Sequence, residues 1–325
     1  MAQALGKEKP VQKNSRLAKA SRKKTLLLLS MVAPGAIWLL LLSYLPMGGI
    51  VMAFQDYKIY SKAPSFINNI LHSKFVGLKN FEFLFQTSDT WVMIRNTLGY
   101  NALFIVLGLI IPVAFAVMLN ELTSKFFAKF YQTLMFFPYF LSWVVASYFL
   151  QAFLDPTRGL IVNLMEAWGM APVDFYNNTG PWPFILTLCN VWKNTGYSAI
   201  LYLAAITGID ASEYEAASID GASKWMQIKY ITLPHLKTMM VMLLIMNVGK
   251  IFRSDFGLFF NIPLQSGPLF PVTQTVDTYV YRAMMTTQNY GMSTAAGLLQ
   301  NLVGFICIIT INAIVNKVDP DSALF

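Results

Sequence analysis

The chain has 325 residues, of which 56% are apolar and only 12% charged, with a net charge of +8. Soluble domains carry about 25% charged residues and use them to cover their surface, so this composition, with a mean hydropathy of +0.51, specifies an integral membrane protein. It excludes a soluble enzyme, a secreted disulfide scaffold and a disordered tail protein. Most of the basic residues flank apolar stretches, which argues against a nucleic-acid groove.

Residues 1–25 hold Lys7, Lys9, Lys13, Arg16, Lys19, Arg22, Lys23 and Lys24 against a single acid, Glu8. By the positive-inside rule this basic tail is cytoplasmic. The apolar run that follows, 26–54, exceeds the 7–15 residues of a signal-peptide core, and no A-x-A site ends it, so it is an uncleaved first span. Pro34 and Pro46 offer breaks in it. A bilayer core of about 30 Å needs about 20 helical residues at 1.5 Å each. Five further stretches qualify: 97–119, 132–153, 183–206, 238–259 and 294–315. Pro138, beside Tyr139 and Ser142, is expected to kink the third. Six spans return the C-terminal tail, 316–325, to the cytoplasm. The inner loops and tails then hold 14 basic residues and the outer loops 6. In the first outer loop, apolar residues at 78, 81, 84 and 85 follow helical spacing and predict a short helix at the membrane interface. The fold class is all-α: six transmembrane helices spanning 26–315, with no strand-rich domain between them.

The loop between the fourth and fifth spans, 207–237, is sharply patterned. Asp210 or Ser212 caps a helix that runs to Ile219. Gly221 permits the left-handed turn that ends it. A second short helix follows from Lys224 to Ile231, and Pro234 is expected to stop it. Ala216, Ala217 and Ala222 are small enough to admit close approach by another surface. On these features alone the loop is an amphipathic helical hairpin, with or without a docking role.

The run Glu215-Ala216-Ala217, then Asp220-Gly221-Ala222, then Ile231-x-Leu233-Pro234 resembles the signature loop of permease subunits in binding-protein-dependent ABC importers. Trp192-Lys-Asn-Thr-Gly-Tyr197 with Tyr202-Leu-Ala-Ala205, Val76-Gly-Leu-Lys-Asn80 and Thr278-Tyr-Val-Tyr-Arg282 are similar to its carbohydrate branch, and within it to permeases for complex oligosaccharides derived from plant or algal polysaccharides. The resemblance implies the type I importer fold in a bacterial inner membrane. It implies that this chain forms half of a translocation pore, with a second, homologous permease. Two cytoplasmic ATPases would dock on the coupling loops, and an extracytoplasmic sugar-binding protein would deliver the oligosaccharide. Residues 209–234 would form the coupling helices, with Glu215 and Asp220 facing the ATPase. No G-x-x-x-x-G-K-[ST] phosphate loop is present, so ATP and magnesium are expected in the partner ATPase. This chain is expected to hold no cofactor, catalytic residue or metal.

Polar groups inside spans are costly and tend to face a bundle interior or water. In the fourth span Asn190, Lys193, Asn194 and Tyr197 share one helical face. In the fifth, Asn247, Lys250 and Arg253 are spaced by three, with Asp255 close behind. Either stripe suits a sugar path, and either suits hydrogen bonding between helices. Lys250 and Arg253 would favour an anionic sugar unless Asp255 neutralises one of them. Cys189 and Cys307 fall in apolar stretches, and His72 and His235 lie far apart, so neither metal spacing nor a catalytic cluster exists. The competing reading is an ion- or proton-coupled secondary transporter working without an ATPase. It needs carboxylates within the spans, and the cores of spans two, three, four and six have none.

Overall fold

The computed structural model describes residues 15–59, 65–82, 85 and 89–324. They fall into two compact units, divided at Val51 and Met52. The first unit is helical from Ser15. Helix α1 (Ser15–Leu39) carries Pro34 without interruption, gives way to a π-turn (Leu40–Tyr44) and then to a 3₁₀ stretch beginning at Leu45. Pro34 is therefore no break. The winding changes ahead of Pro46, where the Leu45 N–H reaches back to the Leu40 carbonyl. A π-turn gives the chain a wider ring, which accommodates a proline that has no N–H to donate.

In the second unit, a two-stranded antiparallel ladder joins β1 (Gln55–Asp56) to β2 (Lys74–Phe75), with helix α2 (Phe66–His72) between them. The expected interfacial helix at 78–85 is a 3₁₀ turn over Gly77–Phe81; position 84 lies outside the described residues. Asn80 fixes this turn by donating to the Ala53 and Gln55 carbonyls at 3.0 and 2.8 Å.

The body of this unit is built on α3 (Thr90–Asn120), α4 (Lys125–Phe140), α5 (Trp143–Leu154), α6 (Leu160–Ala167) and α7 (Trp182–Ile206). After the loop helices α8 (Ala211–Ile219) and α9 (Lys224–Gln227) come α10 (Leu233–Val248), α11 (Phe256–Asn261), α12 (Phe270–Thr273), α13 (Val276–Thr287) and α14 (Tyr290–Val318). Helix α7 packs along α3 and against α4. At its crossing with α4, a Cβ on Gly196 would run into the Met135 carbonyl oxygen. Only glycine admits that approach. One core gathers Tyr100, Ala146, Trp182, Leu186, Leu258 and Phe259; a second, toward the α3 C-terminus, gathers Val113, Ala116, Tyr202, Ile206 and Leu236.

The spans differ from expectation in three places. Residues 132–153 are not one helix: α4 and α5 meet at an angle of 100° after Pro138, with Leu141 and Ser142 extended. The helical run that begins at Lys224 does not stop at Pro234. A π-turn at Ile228–Thr232 carries it into α10, and the Leu233 N–H bonds the Ile228 carbonyl. This is the same solution as at Pro46. The expected span 238–259 then ends at Val248, and residues 249–255 are non-helical. Among the described residues, four helical runs are long and apolar enough to cross a membrane, and the α4–α5 pair would make five. Helix α7 has 25 residues, ample length, but its polar centre keeps it out of that set. The chain is a multi-pass membrane protein; the count of six does not follow from helix length and composition alone.

Candidate translocation path and coupling surface

The polar residues of the spans gather at two interruptions in the helices, and the patterned loop lies between them in sequence. At the first interruption, α4 ends with the carbonyls of its last turn pointing toward α7. Lys193 of α7 meets them. Its Nζ donates to the Tyr139 carbonyl at 2.9 Å, lies 3.4 Å from that of Pro138 and also bonds that of Leu141. It sits 5.3 Å from the Trp143 ring centroid and 5.8 Å from that of Tyr139. A cation at a helix C-terminus answers both the unsatisfied carbonyls and the negative end of the dipole. The rest of the predicted α7 stripe is mixed. Asn194 donates to the Asn190 carbonyl of its own helix at 3.1 Å. Tyr197 is half exposed and stacks on Tyr139, with centroids 4.6 Å apart and planes 12° from parallel. Phe136 continues this ladder at 6.3 Å.

At the second interruption, Lys250 and Arg253 do not continue a helical face with Asn247, because α10 has ended. Tight turns replace it: Lys250 N–H to Asn247 O at 3.0 Å, Ile251 to Val248 at 3.0 Å and Arg253 to Lys250 at 2.9 Å. The carbonyls of this segment are taken by neutral amides. Asn101 of α3 donates to Ile251 and Arg253 at 2.8 and 3.1 Å, and Gln300 of α14 to Phe252 at 3.0 Å. Irregular backbone is tolerated at membrane depth when protein groups satisfy it in this way. Ser254 N–H donates to Asp277 at 2.7 Å. Asp255 accepts the Trp143 indole N–H at 2.9 Å and caps α11 through the Leu258 N–H.

One cavity joins the two predicted stripes. About 140 Å³ in volume, it lies between α3, α7 and α10 and is lined by Tyr197, Ser198 and Asn247 among apolar side chains. Lys193, Lys250 and Arg253 are not among its lining residues.

The patterned loop forms two helices with local caps. Asp210 accepts the Ser212 N–H at 3.0 Å, and this bond holds its carboxyl below the usual range. Helix α8 ends in a Schellman turn: Gly221 has φ +78°, its N–H bonds the Ser218 carbonyl, and the Ala222 N–H bonds that of Ala217. Ser223 then caps α9. Three cross-links that the sequence motif did not single out hold α8 to the following helix. Tyr214 meets Thr232 at 2.9 Å, Gln227 donates to Ser218 at 2.8 Å, and Glu213 pairs with His235 at 3.4 Å. The wider signal was available: Tyr214 and Ser218 lie four apart on α8, as an inward face requires. Glu215, Ala216, Asp220 and Gly221 remain exposed; Ala217, Ala222, Ile231 and Leu233 are half-buried, and Pro234 is exposed. Ile219 and Trp225 stand out at 87% and 70% exposure. Close by, the 319–324 segment folds back on the bundle through Asp319–Lys237 at 2.8 Å and Leu324 N–H to Asn312 at 2.8 Å. Cys189 and Cys307 are free, and no cluster of metal-binding side chains occurs among the described residues.

The chain matches known proteins over nearly its whole length. It is 36% identical over 287 residues to the polygalacturonan/rhamnogalacturonan transport system permease protein YteP of Bacillus subtilis (strain 168), covering 88% of this chain and 87% of that one. It superposes with a TM-score of 0.80 on a chain of a bacterial alginate ABC transporter crystallised with an alginate pentasaccharide-bound periplasmic protein, at 30% identity, covering 92% and 97%. A second structure, of a bacterial ABC transporter involved in the import of the acidic polysaccharide alginate, gives 0.80 at 31% identity, covering 94% and 100%. Residues 105–320, which contain the patterned loop, both interruptions and the cavity between them, match the model of the binding-protein-dependent transport system inner membrane component, and the chain belongs to that family.

Proposed function

We propose that this chain is one permease of an ATP-driven oligosaccharide importer, with the 209–234 loop as its coupling surface. The observation that carries the reading is the loop itself. Tyr214, Ser218 and Gln227 are spent on fixing α8 to the helix that follows, and the signature residues Glu215, Ala216 and Asp220 are left exposed beside the bare side chains of Ile219 and Trp225. An exposed apolar patch with polar edges marks a protein-binding surface. The partner is a cytoplasmic ATPase, which supplies the ATP and magnesium chemistry. One such loop per chain calls for a second permease to seat a second ATPase, and a homologous one completes the pore. An extracytoplasmic binding protein presents the sugar, as in the alginate transporter complex. Both chain ends lie on the cytoplasmic side.

For the sugar path, the stacked Tyr139–Tyr197 pair and the cavity at Tyr197, Ser198 and Asn247 offer aromatic faces beside hydrogen-bonding groups. Of the α7 stripe, the Asn194 and Lys193 side chains are spoken for in part by helix carbonyls, and Tyr197 lines the cavity, so Tyr197 is its best-placed sugar contact.

The test is Gly221→Val in the assembled transporter. At φ +78° a β-branched residue is strained, so the turn between the coupling helices distorts while membrane insertion proceeds. ATPase co-purification and sugar uptake should fall together. Normal uptake by this variant refutes the coupling assignment.

A further inference from the structure

The second interruption leaves two cations with no ion-pair partner among the described residues. Lys250 and Arg253 lie three residues apart on one tight turn and are exposed. Asp255, two residues on, is the obvious counter-ion, but its carboxylate is turned to the Trp143 indole and to the α11 N-terminus. The next acid, Asp277, is taken by Ser254. The ion pairs among the described residues lie elsewhere, at Asp56, Glu121, Glu213 and Asp319. The backbone does not need the cations either, since Asn101 and Gln300 satisfy its carbonyls.

Depth makes this unusual. Asn101 stands eleven residues into α3 and Gln300 ten into α14, about 15 Å from each helix start by rise alone. Both also lie within the expected spans 97–119 and 294–315, four and six residues from their starts, where an unpaired cation is costly unless it faces water or an anion. A broken helix at such depth is where membrane transporters place ligand groups. Asn247, whose carbonyl the Lys250 N–H bonds, reaches into the cavity shared with Tyr197 and Ser198.

We propose that the Asn247–Lys250–Arg253 turn reads charge on the passing sugar. Lys250 and Arg253 engage the carboxylates of uronate residues, and Asn247 contacts neighbouring hydroxyls. Neutral amides are the right clamp for such a site, because they fix the backbone without competing for the anion. A guanidinium and an ammonium three residues apart can hold one carboxylate between them or two on successive sugar units. This rests on the importer reading above.

The experiment uses the complete importer in proteoliposomes with three probes: a galacturonate pentasaccharide, its methyl ester, whose carboxylates are masked, and a neutral oligosaccharide. Wild type is expected to take up the free acid in preference to the ester. The Lys250→Gln/Arg253→Gln double variant should reduce the acid-to-ester uptake ratio about tenfold. The exchange Lys250→Arg/Arg253→Lys, which keeps both charges, should retain the preference. Equal loss for acid and ester, or no change, overturns the proposal and leaves the importer reading intact, as does a wild type that takes up only the ester. An effect that follows the phosphatidylglycerol content of the vesicles and not the charge of the sugar assigns the cations to lipid phosphate and also overturns it. Failure of wild type to take up acid, ester and neutral probe alike strikes at the importer reading itself.

Discussion

The two helix interruptions face the same physical problem and solve it oppositely. Both leave backbone carbonyls without helical partners. At the α4–α5 bend a cation from a neighbouring helix, Lys193, bonds the carbonyls directly, and two aromatic rings flank it. At the α10–α11 break, neutral amides from α3 and α14 do this work, and the segment's own cations stay exposed. A charge at a helix break is thus engaged where its protons go to carbonyls, and left exposed where amides bond the carbonyls instead. The sequence stripes placed Lys193, Lys250 and Arg253 in one class; the comparison separates them.

The separation can be broken experimentally. The largest effect belongs to Gly196→Leu, which drives a side chain into the Met135 backbone where α7 crosses α4. Overpacking against immobile backbone costs about 3 kcal/mol, so yield and melting temperature in detergent should both drop. A normal melt would mean that α4 can slide away and that the first interruption is soft. Next comes Lys193→Met, which keeps bulk but leaves the α4 carbonyls unbonded. Hydrogen bonds to charged groups are worth about 2 kcal/mol. Thermal stability should fall by about that amount, and the variant should lose uptake of acidic and neutral sugars alike. Loss confined to acidic sugars would move Lys193 into the class of Lys250 and Arg253.

Asn101→Leu should be milder. It removes two bonds from α3 to the 251–253 backbone, worth about 0.6 kcal/mol each by comparison with interhelical side-chain bonds, so a loss near 1 kcal/mol is expected, together with altered sugar preference as the 251–253 turn loosens. Unchanged preference would show that the turn holds its shape without α3. The smallest effect lies away from both interruptions. The Lys237 ammonium holds the Asp319 carboxyl below its usual range. A depressed carboxyl contributes stability above its unfolded value, roughly pH 4, and loses it as pH falls through the lower folded value. Asp319→Asn should therefore melt slightly below wild type at neutral pH, and the two curves should merge in acid. A difference that persisted under acid conditions would point to Ser322, which donates to the same carboxylate.

The first cap and the glycine turn of the patterned 209–234 loop were legible because they are local. Asp210 and Gly221 act within three residues of themselves, and their chemistry is visible wherever they stand; the Ser223 cap on α9 was not read from the sequence. The membrane class was legible for a similar reason, since apolar runs are summed along the chain. Proline misled twice. Pro234 and Pro34 were expected to end or break helices, and both sit inside helical runs, the first behind a π-turn whose presence no single residue announces.

The sequence by itself determined that the chain crosses a membrane, that its 209–234 loop is a capped helical pair and that polar residues interrupt two apolar stretches. These follow from hydropathy, cap chemistry and spacing, all properties of neighbours. Only the tertiary structure decided which groups each polar residue meets. Lys193 meets carbonyls more than fifty positions away, and Asn101 reaches a backbone oxygen 150 positions away. Whether a charge in a membrane protein is spent or available depends on which donors arrive at the same carbonyls, and that is settled by helix packing and not by the chain's local order.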